Sequence, residues 1–341
     1  MSSALELSIA INLEDLLSIE GQWQELWLDS PCGTPFQSPA WLIPFVRIFS
    51  PAEIRVLLIW RKDQLVGLFP FWIERGFGPF TIKILGHGIS DYLDALGREA
   101  EWHNLPPLIE AWLNQELGSE GSVEFGQLKQ NALLASVPRA GIFEEETSWG
   151  EVCPVVPLRG ERTAAVVPSA LRSNLESVFR QAEKSGRPLD FEIANDDSFE
   201  EAITLLYHLH TKRWQRRGSA GIFATKQQRD FYRQAFKSLH AAAAIKIFVL
   251  RLGGNPVAAL VAFIHKRILY YYIGAFDPDY AKFSPGNLII LRAIEFAGRA
   301  GCHSFDFLRG REAYKYRWGA RDQETVIRKL RRSPKEPGNG Q

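Results

Sequence analysis

The sequence predicts a mixed α/β protein, mainly antiparallel sheet with flanking helices, built as two similar lobes. Three observations predict it. The chain has 341 residues, more than the roughly 100–200 of one domain. In the second half, apolar strands joined by very short turns are interleaved with amphipathic helices. The first half repeats that element order in a looser form, which reads as an internal duplication. The lobes are placed at residues 1–160 and 161–332, and the polar, Pro/Gly-rich tail at 333–341 is expected to be disordered.

In the first lobe, Leu5–Ile11 reads as a strand, and helices are expected near Leu13–Trp27 and Pro39–Ile48. Strands follow at Ile54–Trp60, Leu65–Glu74 and Phe80–Leu85, with Lys62-Asp63-Gln64 as a hairpin turn. Tyr92–Leu96 is a further extended piece, then a helix at Trp102–Gln115 and a strand at Ser122–Phe125. In the second lobe, Ser169 caps a helix with the apolar stripe Leu171, Leu175, Val178 and Phe179, which Gly186-Arg187-Pro188 stops. A strand at Leu189–Ala194 precedes a helix capped by Asp197 or Ser198 and running to Trp214, then a helix at Gln227–His240. Ile245–Leu252, Val257–His265 and Ile268–Phe276 are strands, turned at Gly253-Gly254-Asn255-Pro256 and Lys266-Arg267. A helix from Gly286 to Ala300, a strand at Ser304–Leu308, a short helix near Glu312–Trp318 and a strand near Thr325–Leu330 complete the lobe.

Composition narrows the function. With 46% apolar and 23% charged residues the chain is an ordinary globular protein, not a disordered or fibrous one. No apolar run reaches the ~18–20 residues of a membrane span. Met1–Asp15 carries Glu6, Glu14 and Asp15 but no Lys or Arg, so no secretory signal is expected. Cys32, Cys153 and Cys302 lie far apart with no Cys-x-x-Cys, which fits a reducing cytoplasm and encodes no zinc site. Residues 1–160 hold 10 Lys+Arg against 21 Asp+Glu, whereas 161–341 hold 30 against 18. A basic half favours a polyanion and an acidic half favours an amine; opposite charge also simply helps two halves dock.

Several chemistries lack their motifs. There is no Gly-x-Ser-x-Gly elbow, no Walker loop and no His-Glu-x-x-His. Gly86-x-Gly88 lacks the third glycine of a dinucleotide fingerprint. His208 and His210 point to different sides of a helix, so no metal site is expected. Ser284-Pro285-Gly286 does carry a physical signal. Proline at a helix start gives up an N–H that would be unpaired anyway, and glycine admits a close approach to the backbone. The amides of Gly286, Asn287 and Leu288 then form an anion site, with Lys282 nearby; an ordinary helix start reads the same way. In the first lobe, Gly86 to Asp94 concentrates polar groups. If the lobes face each other, His87, Asp91 and Tyr92 are expected to bind the acceptor, although a histidine between glycines is also an ordinary loop residue.

Particular strings add a resemblance: Pro35-Phe36-Gln37-Ser38-Pro39-Ala40-Trp41, Leu65-Val66-Gly67-Leu68-Phe69-Pro70, Asp91-Tyr92-Leu93-Asp94, Leu209-His210-Thr211-Lys212-Arg213-Trp214, Phe283-Ser284-Pro285-Gly286 and Phe305-Asp306-Phe307-Leu308-Arg309-Gly310, continuing to Tyr314-Lys315 and Trp318. Over about residues 20–320 the chain resembles the two-lobed GNAT acyltransferases of the cellulose-biosynthesis CelD type, relatives of the FemAB aminoacyl transferases. The resemblance implies tandem GNAT-like lobes, the first degenerate, with acetyl-CoA or another acyl-CoA as co-substrate in the second. It implies a small amine acceptor, such as an amino sugar or an envelope or polysaccharide precursor. The Arg/Gln-x-x-Gly-x-Gly/Ala phosphate loop usual in GNAT enzymes is missing.

By the same resemblance, a strand bulge at Gly274 and Ala275 splays two parallel strands and exposes an amide to the thioester. Tyr314 becomes the general acid, Asp306 a base or amine-orienting group, and Lys315 a phosphate ligand or a carboxylate partner. Packing accounts equally well for Tyr314, and capping for Asp306. Two other readings remain: a FemAB-like transferase using charged tRNA, and a non-catalytic protein that binds acyl-CoA without turning it over.

Overall fold

A computed structural model of the chain describes residues 4–76, 78–118, 120–136, 143–158 and 167–332. The expected lobe boundary at 160/161 and the tail at 333–341 lie outside the described residues. The chain forms two compact units: one of the described residues up to Glu151 together with Glu324–Arg332, the other Val152–Gln323.

The first unit contains β1 (Leu5–Ala10), α1 (Leu13–Ser18), α2 (Glu20–Asp29), α3 (Pro39–Phe49), β2 (Ile54–Arg61), β3 (Gln64–Glu74), β4 (Thr81–Ile84), β5 (Leu96–Gly97), α4 (Leu105–Glu116) and β6 (Ser122–Lys129). Strand β7 (Phe143–Pro157) leads into the second unit, which continues with α5 (Ser169–Lys184), β8 (Leu189–Ile193), α6 (Phe199–Gln215), α7 (Lys226–Ala241), β9 (Ile245–Leu252), β10 (Asn255–His265), β11 (Ile268–Phe276), α8 (Pro285–Arg299), β12 (Ser304–Asp306) and α9 (Ala313–Tyr316). The last strand is β13 (Arg321–Arg332). Among the described residues no helix is long and apolar enough to cross a membrane.

The duplication is visible in the strand order. In the first unit β1, β2, β3 and β4 are antiparallel neighbours, and β4 pairs in parallel with β6. In the second, β8, β9, β10 and β11 repeat that antiparallel run, and β11 pairs in parallel with β12. A helix forms the crossover each time, α4 or α8, as a parallel connection requires. The expectation that the second lobe runs unbroken to residue 332 needs correction. Strand β13 pairs antiparallel with β6, Thr325 opposite Lys129, so the end of the chain completes the first unit. Beside β12, the corresponding place is taken by the end of β7, with Ser304 opposite Pro157.

The core of the second unit forms where α8 lies on the sheet. Leu288, Ile289, Leu291, Ala293, Ile294 and Ala297 are buried with Leu250, Leu260, Phe305 and Trp318. Burying side chains of this size contributes about 1.5–3 kcal/mol each. Pro285 at the first position starts α8, and Ser284 before it takes the left-handed conformation (φ 47°, ψ 44°) as the 3-10 turn Pro278–Phe283 changes direction into the helix.

Candidate active site

The site follows from how β11 and β12 part. They are paired only from Ile268/Ser304 to Tyr270/Asp306. Beyond that, β12 ends: Asp306 Oδ1 accepts from the Leu308 amide at 2.8 Å, Leu308 is left-handed (φ 56°), and the Phe307 amide turns to the Pro154 carbonyl. Strand β11 runs on to Phe276 along β10, and among the described residues no strand pairs with its other edge there. The bulge expected at Gly274 and Ala275 lies earlier. Ala262 opposes Tyr271 and Val261 opposes Ile273, so Tyr272 is the extra residue, its ring stacked on Phe263 at 4.6 Å.

Gly274 has a different structural reason. A Cβ at this position would lie 2.0 Å from the Tyr271 hydroxyl oxygen and 2.8 Å from its Cζ. The missing side chain makes room for that phenol, whose ring packs near Phe307 and Tyr314. Tyr314 hydrogen-bonds Tyr271, and burial followed by the Tyr271 neighbour raises the Tyr314 hydroxyl far above an ordinary phenol. It is therefore protonated at neutral pH and able to donate.

The opening is a cleft of about 340 Å³ in the second unit. Six of the residues singled out from the sequence line it together: Gly274, Ala275, Ser284, Gly286, Asn287 and Tyr314. At the start of α8, the Asn287 and Leu288 amides both turn back to the Ser284 carbonyl, at 3.0 and 3.1 Å. Leu288 is wholly buried and off the cleft. Of the three amides expected to face an anion, only that of Gly286 has no protein partner among the described residues. A Cβ on Gly286 would press on the Phe276 ring at 3.1 Å.

Positive charge comes from residues the sequence reading did not assign to the site. Arg213, Arg217 and Arg317 line the cleft, and no Asp or Glu does. Arg213 lies in the last turn of α6, and Arg217 follows in the turn just past its end. None of the three has a carboxylate partner among the described residues. Their neighbours Lys212 and Arg216 do: Lys212 pairs with Asp277 and Asp279, and Arg216 with Asp279, each at 2.7 Å. The recognisable signal was this pair of interleaved i,i+4 basic couples in Lys212-Arg213-Trp214-Gln215-Arg216-Arg217.

Other expected site residues have structural roles. Lys315 is buried, and its ammonium donates to the carbonyls of Leu308 (3.1 Å), Arg309 (2.5 Å) and Gly310 (3.2 Å) beside Glu312, so it has no proton left for a phosphate. Asp306 is buried, holds the 306–308 turn and does not line the cleft, so it is not placed as a base. Lys282 is exposed, with its ammonium 5.1 Å from the Phe283 ring, outside the cleft lining.

In the first unit, Tyr92 is a core residue, 2% exposed, its ring near Phe36 and its carbonyl bound to Gln37 Nε2, which removes it from ligand contact. His87 and Asp91 are half-buried. The polar run there is largely structural: buried Asp94 accepts from the amides of Ala95, Leu133 and Leu134 at 2.8–3.0 Å.

Residues 169–316 match the model of an acetyltransferase (GNAT) domain. Comparison of the sequence with curated proteins gives no match. Among solved structures the chain is similar to FemX, with a TM-score of 0.65 and 10% identity over 91% of this chain and 95% of that one. It is also similar to the C-terminal domain of an Agrobacterium fabrum protein named as a lysylphosphatidylglycerol synthetase (0.58, 11%, 92% of each chain). L-PGS from Bacillus licheniformis is a third likeness (0.56, 14%, 95% of this chain and 92% of that one). At these identities the likeness is one of fold. All the residues lining the splayed cleft except Arg317 thus fall within the segment of the second unit that matches a GNAT acetyltransferase domain.

Proposed function

We propose that the protein is an acyl-CoA-dependent N-acyltransferase of the two-lobed CelD-like kind, transferring an acyl group, acetyl in the simplest case, to an amine. One observation carries this reading: a cleft beside splayed parallel strands in which the Gly286 amide stands together with three arginines that have no carboxylate partner among the described residues. Arg217 and Arg317, both exposed, and the Gly286 amide would take the phosphates. The open edge of β11 would take the amide-bearing arm of the cofactor by strand-like hydrogen bonds. Tyr314, kept protonated by burial, would give its proton to the departing thiolate. The acceptor class, an amino sugar or an envelope or polysaccharide precursor, rests on the sequence resemblance alone. A cytoplasmic site is supported by Cys32, Cys153 and Cys302, for which no disulfide is found among the described residues.

The fold likeness to FemX supports a second reading, aminoacyl transfer from charged tRNA, as the resemblance to the FemAB group implies. The basic cleft suits either donor. Helices α6 and α7 are joined by residues 216–225 alone, which leaves no inserted helical arm of the kind common in that group. A thermal-shift series with acetyl-CoA, longer acyl-CoAs, NAD, ATP and aminoacyl-tRNA separates the donors. A true donor at ~100 times its Kd stabilises by about 2.7 kcal/mol. Stabilisation by an acyl-CoA, followed by thiol release with an amine, supports the first reading. A shift with charged tRNA alone supports the second. Acyl-CoA binding without turnover on any amine would identify a non-catalytic binder.

A further inference from the structure

The inference rests on the acyl-CoA reading of the cleft. We propose that Arg213 is a catalytic residue of the transfer, its Nε–H donating to the thioester carbonyl and holding the oxyanion that forms there. The guanidinium is fixed from two sides. Its Nη1 donates to the Gly274 carbonyl on β11 at 3.2 Å, and its Cζ lies over the Phe276 ring, 4.6 Å from the centroid. Its Nε is buried and, among the described residues, has no hydrogen-bond partner. A buried donor left unpaired is costly, and in a fork of five donors it marks a place kept for an acceptor that the protein does not supply. The contrast with Lys212 on the same helix and Arg216 just past its end is direct, since both are satisfied by carboxylates.

Arg213 lines the cleft with Tyr271, Gly274 and Tyr314, at the open edge of β11. Its charge works against burial at both hydroxyls, lowering Tyr271 and Tyr314, so the guanidinium and the phenols share one electrostatic environment. A donor already held in place needs no reorganisation as charge develops.

The reaction then balances. The neutral amine nitrogen attacks the thioester carbon, forming the C–N bond, and the carbonyl π pair moves to the oxygen facing Arg213 Nε–H. When that pair returns, the C–S bond breaks and the thiolate takes the Tyr314 proton. The surplus proton on nitrogen returns through solvent to the Tyr314 phenolate, giving amide and free CoA thiol.

The test is ¹³C NMR of acetyl-CoA labelled at the thioester carbonyl, bound to wild type and to Arg213→Met, with Kd measured by calorimetry. The expected result is a downfield shift on binding to wild type that is lost in the variant, with Kd changed less than about threefold. With an amine acceptor, kcat should fall by roughly 100- to 1,000-fold, the usual effect of losing an oxyanion donor. The same carbonyl shift in both proteins overturns the assignment and leaves the acyl-CoA reading standing. A retained shift with Kd raised tenfold or more also overturns it, making Arg213 a phosphate ligand. If wild type does not bind acetyl-CoA, the donor reading fails and Arg213 loses this role with it, and neither protein then moves the resonance. Arg213→Lys keeps the charge without the Nε–H, and should lose most of the shift if Arg213→Met does not fold.

Discussion

Gly274→Ala tests the steric argument at the splay, because its sign runs against the usual rule. Gly274 is not in a left-handed conformation. In an extended strand, replacing glycine by alanine ordinarily stabilises by about 0.5–1 kcal/mol through the unfolded chain. Here the new methyl would meet the Tyr271 hydroxyl at 2.0 Å and its Cζ at 2.8 Å. The ring has little room to retreat, with the Phe307 centroid at 5.5 Å and that of Tyr314 at 6.4 Å. Overpacking a filled site costs about 1–3 kcal/mol, and losing the Tyr271–Tyr314 hydrogen bond adds about 1 kcal/mol. The expected net effect is a destabilisation of about 1–3 kcal/mol, or a fall in Tm of about 2–4 °C per kcal/mol for a unit of this size. The assay is urea and thermal unfolding of the single variants and of Gly274→Ala with Tyr271→Phe. Removing the hydroxyl deletes the shortest contact, so the cost of Gly274→Ala should drop by about 1 kcal/mol in that background. A stabilising Gly274→Ala, or an equal cost in both backgrounds, would refute the reasoning.

Four further outcomes are expected. Arg217→Glu and Arg317→Glu should each weaken acyl-CoA binding at least tenfold, about 1.4 kcal/mol by calorimetry, while stability stays within about 0.5 kcal/mol because both side chains are exposed. Tyr314→Phe should slow thiol release with little change in acyl-CoA Kd; wild-type turnover would remove Tyr314 from the mechanism. Lys315→Met leaves three carbonyls without their ammonium and should cost about 3 kcal/mol in urea unfolding, and an unchanged midpoint would contradict that structural role. His210 is buried, and burial followed by the Arg213 charge lowers it to about 4. Because its folded value lies below the unfolded ~6.5, the unfolded chain takes up the proton first, and stability falls as pH drops from about 6.5 to about 4, by roughly 3 kcal/mol. His210→Phe should flatten that slope in denaturation midpoints across the range.

Much of the second unit was legible because its elements follow their periods. Strands Ile245–Leu252 and Ile268–Phe276 lie where alternation and turn residues put them, and α8 begins at Pro285, one residue before the expected Gly286. Strand β7 was not legible. From Glu144 to Trp149 it is exposed throughout, so no buried face imposes a period of two. The membership of β13 was hidden for another reason: its sequence marks a strand but not its neighbour, and pairing with β6 is a long-range choice. At the site, local rules found the Gly286 helix start but not that Ser284 takes back two of its three amides. They also gave Lys315 and Asp306 functional roles, because a charged residue beside a turn looks the same whether it faces a ligand or the main chain. Arg213, Arg217 and Arg317 converge only once α6 and α9 are folded around β11.

The most direct measurement is a calorimetric titration of acetyl-CoA into wild type and Gly286→Glu, with unfolding curves to show that the variant is folded. A carboxylate there sets bulk against Phe276 and negative charge against the free amide. One site per chain in wild type, lost in the folded variant, is the expected result. Equal affinity in both proteins would contradict the account, as would no binding to wild type.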